Sequence, residues 1–423
     1  MNQIRIRSYF NFIPDFYWKG LYFVVAIIIC LIEAEGRSDF DIYLMASKDL
    51  IQQINPYSHS YIDGYYYYYS ILFAYLIYPF SFLGQYWRTF FWLLFNAYLL
   101  YKVIQQVGEF LDIPKLLSRE SLVFYALLLL FNVRTIRENF HSAQVTILIL
   151  FLMLYSLKYL VENKIWLSAL LLGLAVNIKL LALPVVVYYF YRGKFKIVMY
   201  VVLFVVSMYF LPLLWMNSSF YYECMQQWWM NINPNNDKHL IDVEERSFHS
   251  ITTLISTLFL AHPPDMYALP IRRYIIDLDI QEVKLLIQIV RVILISSVLM
   301  IVRSFPFQKL ENKHFLFFEW SYVVALIPLV FPHQQHYAFL LQMPSISILL
   351  YLAIHNRLNK IEMIGLVILF LCFNLKVLLG MWNEYYDHYK ILTYGGLITL
   401  VLMLLVGKKK GEIGSSAENK KIT

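Results

Sequence analysis

A chain of 423 residues that is 60% hydrophobic, only 15% charged and has a mean hydropathy of +0.57 does not fold as a soluble domain. It reads as an all-α polytopic membrane protein. The net charge of +7 falls mostly in loops expected to face the cytoplasm, so it reports topology and lipid headgroups and excludes nucleic acid as a partner. Cys30, Cys224 and Cys372 have neither metal-ligand spacing nor the arrangement of a disulfide framework.

The first apolar run, 18–35, is too long for a signal peptide and lacks a small-residue cleavage site before Asp39, so it is expected to stay as the first helix. Further runs follow at 66–83 and 87–106. The run 119–132 is shorter than a full span and is read as a partial or re-entrant helix. Apolar stretches then recur at 142–161, 166–178, 180–191, 196–215, 282–302, 315–331, 337–354, 360–380 and 390–406. Basic loops at Arg5 to Lys19, Arg192 to Lys196, Arg303 to Lys313 and Arg357 to Lys360 should share the cytoplasmic side with the tail. The result is a single membrane domain over 1–410, a bundle of about 12 transmembrane helices plus one partial helix, with a disordered cytoplasmic tail at 411–423.

In this scheme the outer loops are 36–65, 107–141, the Asn177 to Leu180 junction, 216–281, 332–336 and 381–389. The loop 216–281 is too short for a core of its own and should fold back as interfacial helices. The tyrosine run Tyr65 to Tyr69 suits a membrane interface, where a ring is half buried and its hydroxyl stays wet.

Polar groups placed against this background carry the chemistry. Asp39 and Asp41, in Ser38-Asp39-Phe40-Asp41-Ile42-Tyr43, put carboxylates just after the first helix. Two residues apart, they cannot both face one substrate. Both are candidates for chemistry at the outer mouth, the bland alternative being that Asp39 caps an interfacial helix. Lys179 lies in the middle of an apolar stretch and calls for an anion, unless it snorkels to the surface. In the loop read at Asn132 to Gln144, Arg134 and Arg137 form a possible anion clamp, because a guanidinium fork matches phosphate. His333 and His336 interrupt two apolar runs and suit hydrogen bonding to a phosphate better than metal ligation, because further ligands at convincing spacing are lacking.

The segments 38–43 and Asn55-Pro56-Tyr57 with the tyrosine-rich start of the second run resemble the opening of polyprenol-phosphate-dependent glycosyltransferases of family eighty-seven, within the GT-C superfamily. The resemblance continues through His141-Ser142-Ala143-Gln144, where the family usually has glycine before the glutamine, and through Asn177-Ile178-Lys179-Leu180, Arg246 to Leu254 and Pro332 to Tyr337. It implies a GT-C-like fold in the bacterial plasma membrane with an extracytoplasmic active site. It implies transfer of a mannose-like hexose, or a pentose, from a polyprenyl-phosphate sugar to a glycolipid or glycan, with inversion, and with Asp39, which aligns with the family's catalytic aspartate, as base and Asp41 as runner-up. No cofactor is expected, and no metal is demanded, because a monophosphate lacks the pyrophosphate that usually recruits one. Lys179, His336, Arg134, Arg137 and Gln144 are then expected at the donor phosphate, and Tyr43, His141, Arg246, His249, Ser250 and His333 at the substrates. An O-antigen polymerase or ligase using a diphosphate lipid, or a lipid or sugar transporter, are the alternatives from other classes.

Overall fold

A computed structural model describes residues 15–113, 119–233, 248–261 and 269–412. Among them all regular structure is helical apart from an isolated bridge between Phe248 and Gln335. This is what a bilayer demands, because a helix satisfies its backbone polar groups internally. Arg246 and the tail from 413 onward, both singled out in the sequence, lie outside the described residues.

The chain opens with α1 (Asp15–Glu33), the short α2 (Asp39–Ile51) and α3 (Ile71–Ile77), and continues with α4 (Gln85–Phe110), α5 (Arg119–His141), α6 (Thr146–Val161), α7 (Ile165–Ile178), α8 (Leu183–Tyr191) and α9 (Phe195–Phe210). The segment expected to fold back as interfacial helices contains α10 (Ser218–Ile232) and α11 (Ile251–Phe259). The remaining helices are α12 (Ile280–Val302), α13 (Lys313–Val330), α14 (Met343–Ile354), α15 (Lys360–Leu378), the six-residue α16 (Asn383–His388) and α17 (Ile391–Val406). Among the described residues five segments are long and apolar enough to cross a membrane: Phe195–Leu214, Ile280–Val302, Lys313–Val330, His336–Ile354 and Ile391–Lys409. In α9 and α12 about half the residues are exposed although these helices are apolar, as lipid-facing helices require.

Contacts between helix termini define two ends of the bundle. At one end the basic segments meet: the Phe307 N–H donates to Tyr191 O, Lys313 pairs with Asp112, His355 with Glu120, and Lys409 with Glu362. At the other end the Asp39 N–H donates to Ser142 O, His141 pairs with Glu33, and Ser70 donates to Asn177.

Three expectations are corrected by this arrangement. The run 119–132 is neither partial nor followed by a loop: α5 is one helix of 23 residues that joins the two ends. Its polar residues bond back to their own helix, Asn132 Nδ2 to Leu128 O and Asn139 Nδ2 to Thr135 O, so the helix continues through a sequence too polar to look like a span. The run 66–83 is instead the one that fails to traverse. Only Ile71–Ile77 is α-helical, and the chain then tightens into a 3-10 turn at Tyr78–Phe82, around Pro79. The stretch 107–113, assigned to an outer loop, belongs to the basic end, where Asp112 meets Lys313 and His314. The parity required by the basic loops survives, because α5 replaces 66–83.

The segment 381–389 is likewise not a plain loop. Gly380, at φ +51, takes a conformation that only glycine adopts cheaply, and it turns the chain from α15 into α16. A second sharp turn separates α5 from α6. Ala143 has φ +46 there, at a cost of roughly 1 kcal/mol that glycine would not incur. This gives a physical reason for glycine before Gln144 in the related pattern.

At the basic end, Arg192 and Glu319 form a buried ion pair, with Arg192 Nε 2.8 Å from Glu319 Oε2 and Tyr188 OH 3.0 Å from the same oxygen. Removing one partner strands a charge in a low-dielectric interior. Glu319→Ala is therefore expected to destabilise the protein by about 3 to 5 kcal/mol. The melting temperature of the detergent-solubilised protein should fall, and should be largely restored in the double variant Arg192→Met/Glu319→Leu.

Candidate active site

Asp39 is the first residue of α2, with Ser38 as its N-cap. Asp41, the third residue of the helix, returns its carboxylate to the Ser38 N–H at 3.1 Å and also pairs with Arg88 of α4. Asp41 is thus a buried capping residue, which fixes where α2 begins and how it docks on α4. Asp39 points elsewhere, as the 200° offset between the two positions requires.

Gln144 holds the Asp39 carboxylate. Its Nε2 donates to Asp39 Oδ2, while its Oε1 accepts from Tyr43 OH at 3.1 Å and from Tyr69 OH at 3.4 Å. The two tyrosine hydroxyls are 2.9 Å apart. Tyr43 lies one turn after Asp39 on the same face of α2, which is why both reach one amide. Gln144 follows the positive-φ turn at Ala143, and the neighbouring carbonyls there receive the Asp39 N–H and the Trp92 indole N–H. The carboxylate is therefore fixed at backbone and side chain while remaining half-buried.

Lys179 joins this group from the break between α7 and α8. Its backbone is extended, at φ −150, and its ammonium lies 5.3 Å from the centre of the Tyr69 ring. Asn177 Oδ1, two residues earlier, accepts from Ser70 Oγ at 2.9 Å and ties the end of α7 to the N-cap of α3. Asp39, Tyr43, Gln144 and Lys179, named from sequence, are thus brought together. Tyr69 and Arg88 were not singled out, because a tyrosine within a tyrosine run and an arginine at a helix start look like interfacial residues.

A second cluster gathers around Asp387 of α16. Asp387 Oδ1 lies 3.0 Å from His336 Nε2 and 3.5 Å from His249 Nε2, and the two imidazole nitrogens are 2.9 Å apart. Its other oxygen receives Lys376 at 2.6 Å. Arg134 approaches to 3.9 Å, with its guanidinium stacked 4.4 Å from the centre of the Tyr386 ring. Burial pulls His249 down to about 3 against the opposing pull of Asp387, so this ring is neutral at physiological pH. Two imidazoles and a carboxylate within 4.8 Å of one another form a donor set that can hold a divalent metal. The cations Lys376 and Arg134 give the same place a preference for negative charge. Asp387, Lys376 and Tyr386 escaped sequence reasoning because Asp387 sits in what looked like a loop. The available signal was a carboxylate between two apolar runs.

The other named residues fall apart from these groups. Arg137 is exposed although Arg134 is buried, so α5 separates the two arms of the expected clamp. His141 is exposed and bonded to Glu33. Ser250 caps α11, accepting from the Thr253 N–H. His333 stacks on Tyr68, 6.5 Å between ring centres, and so borders the tyrosine side of the first cluster.

The model of Glycosyltransferase family 87 matches residues 67–332, more than half of the chain. The match takes in Gln144, Lys179 and His249, and Asp39 and Asp387 lie outside it. No curated protein shows significant similarity to the chain. With Gln144 and Lys179 converging on a carboxylate at one end of an apolar helical bundle, and with that match, the protein belongs to glycosyltransferase family 87 and is a membrane glycosyltransferase.

Proposed function

We propose that the protein transfers a sugar, a mannose-like hexose or a pentose, from a polyprenyl-phosphate donor to a glycolipid or glycan acceptor, with inversion at the anomeric carbon. The observation that carries this reading is the Gln144 clamp on Asp39, with Lys179 brought to the same group of tyrosines. A base that must take a proton from a hydroxyl at one moment of the reaction gains from being held in place before it.

In this mechanism the acceptor O–H gives its proton to Asp39 as its oxygen attacks the anomeric carbon. The bond from that carbon to the phosphate oxygen breaks on the opposite face, and its electron pair leaves with the lipid phosphate. Lys179 compensates the phosphate charge, and Arg134, in the cluster with His336 at Asp387, is a second source of positive potential. Arg137 and His141 have no part in it, because both face away. The donor is a monophosphate lipid and needs no nucleotide pocket.

The chain is assigned twelve crossings, by α1, α4 to α9, α12, α13, α14 with the 3-10 turn before it, α15 and α17. The gathering of the basic loops at the end opposite Asp39 supports, by the positive-inside rule, an active site on the extracytoplasmic side of a bacterial plasma membrane.

Two measurements on the purified protein in lipid test the reading, using labelled sugar on synthetic polyprenyl phosphate. Asp39→Asn should lower the transfer rate by about 10² to 10⁴ with donor binding retained, whereas Asp41→Asn should keep most of the rate and lose thermal stability. Full activity in Asp39→Asn would overturn the assignment of the base. Gln144→Leu frees the carboxylate without removing it, so kcat should fall by about a hundredfold with KM for the donor nearly unchanged. A change in KM alone would assign Gln144 to substrate binding.

A further inference from the structure

The cluster at Asp387 supplies the ligands that the sequence around His333 and His336 lacks, because the partners of His336 come from segments 87 and 51 positions away. His249 precedes α11, His336 opens the 3-10 turn before α14, and Asp387 lies near the end of α16. All three are more than nine-tenths buried. Backbone bonds set them against one another. The isolated bridge pairs Phe248 with Gln335, the His249 N–H donates to Gln334 O at 2.8 Å, and Thr393 Oγ1 of α17 donates to His249 O at 2.7 Å. The segment before α12 holds α16, with the Leu269 N–H donating to His388 Nδ1 at 3.1 Å and Arg273 Nη1 donating to His388 O at 3.4 Å.

His249 Nε2 and His336 Nε2 are 2.9 Å apart, and Asp387 Oδ1 is 3.0 Å from the second and 3.5 Å from the first. With Asp387 ionised against Lys376, these three contacts cannot all be hydrogen bonds. Protons on both nitrogens would set two N–H groups against each other, and a proton on one leaves the lone pair of the other facing the carboxylate oxygen. A single cation in place of those protons satisfies all three atoms at once. Because the sides of the triangle are short, one point just off its plane lies about 2.0 to 2.1 Å from every donor, the length of a zinc–nitrogen bond. Lys376 takes Asp387 Oδ2 and so leaves Oδ1 to the ion.

We infer that His249, His336 and Asp387 form a zinc site with one open coordination position. Two imidazoles and one carboxylate oxygen suit zinc better than calcium or magnesium, which collect six or more oxygens. Three protein ligands leave the fourth tetrahedral position for an oxygen from outside, as catalytic zinc sites do and structural ones do not. Lys376 and Arg134 oppose a dication, and Asp387 offsets them in part. Their remaining positive potential favours an anionic oxygen, that of a phosphate or a carboxylate, at the open position. This assignment does not depend on the sugar donor proposed above.

Full-length protein in detergent, stripped with a chelator and then freed of it, can be titrated calorimetrically with zinc. One equivalent should bind with a Kd below about 1 μM. Zinc should raise the melting temperature, whereas magnesium and calcium at the same concentration should not. His249→Ala, His336→Ala and Asp387→Asn should each weaken zinc binding by about a hundredfold or more. His141→Ala, which removes an exposed histidine paired with Glu33, should leave the affinity unchanged. Cobalt reports the ligands directly. In the wild type it should give the visible bands of a tetrahedral ion, and in His336→Cys it should add the near-ultraviolet band of a sulfur–cobalt bond. A cooperative melt retained in His336→Cys separates the exchange of a ligand from loss of the fold. The inference is overturned if the wild type binds no zinc, if the alanine variants of both histidines bind it as tightly as the wild type, or if cobalt in His336→Cys acquires no sulfur band. Failure of the transfer reading would appear separately, as turnover surviving in Asp39→Asn, and would leave the zinc titration unchanged.

Discussion

The reversal between α5 and α6 is the constraint on which the active end of the bundle depends. In four residues the chain ends one helix, passes through a left-handed position at Ala143 and begins the next. Its carbonyls take the Asp39 N–H from α2 and the Trp92 indole N–H from α4, and its glutamine takes the Asp39 carboxylate. Trp92 in turn stacks on Phe40, with ring centres 4.7 Å apart, directly after Asp39. One turn thereby fixes a carboxylate relative to three other helices. An ordinary loop would leave those carbonyls to water and the carboxylate to the motions of α2.

Low dielectric governs how the remaining charges are arranged. Asp41 has Arg88 and a helix N-terminus, Glu319 has Arg192 and Tyr188, and Asp387 has Lys376, two imidazoles and Arg134. Each buried carboxylate is matched before any substrate arrives, which a membrane interior requires far more strictly than water does. Beside these three acids, Asp39 is held by the neutral amide of Gln144, and Lys179 reaches the Tyr69 ring that shares this amide.

How far the sequence speaks follows from the same physics. The helical class, the position of Asp39, Gln144 and Lys179, and the clustering of basic loops at one end are legible, because hydropathy and polar residues at depth report them directly. The path of α5 is not: Asn132, Thr135 and Asn139 lower its hydropathy, yet in the structure they bond to their own helix and bury against neighbours. The run 66–83 misleads in the opposite sense, since an apolar stretch packed between α2 and the rest of the bundle reads like one packed in lipid. Asp387 is invisible for a third reason. Its meaning lies in contacts such as that with His336, 51 positions away, which periodicity along one helix cannot reveal.

The donor class proposed above would also account for how little of the chain is given to binding motifs. A polyprenyl-phosphate donor would already be confined to the membrane plane, so its apolar chain would need a channel more than a pocket of hydrogen bonds. The polar work would fall to the head, where a sugar, a phosphate and an acceptor hydroxyl must come within reach of one carboxylate. Negative charge on both Asp39 and a lipid phosphate would repel strongly in such surroundings if nothing stood between them. In the proposed mechanism Lys179, at the break after α7, is the cation that allows the two to be brought together.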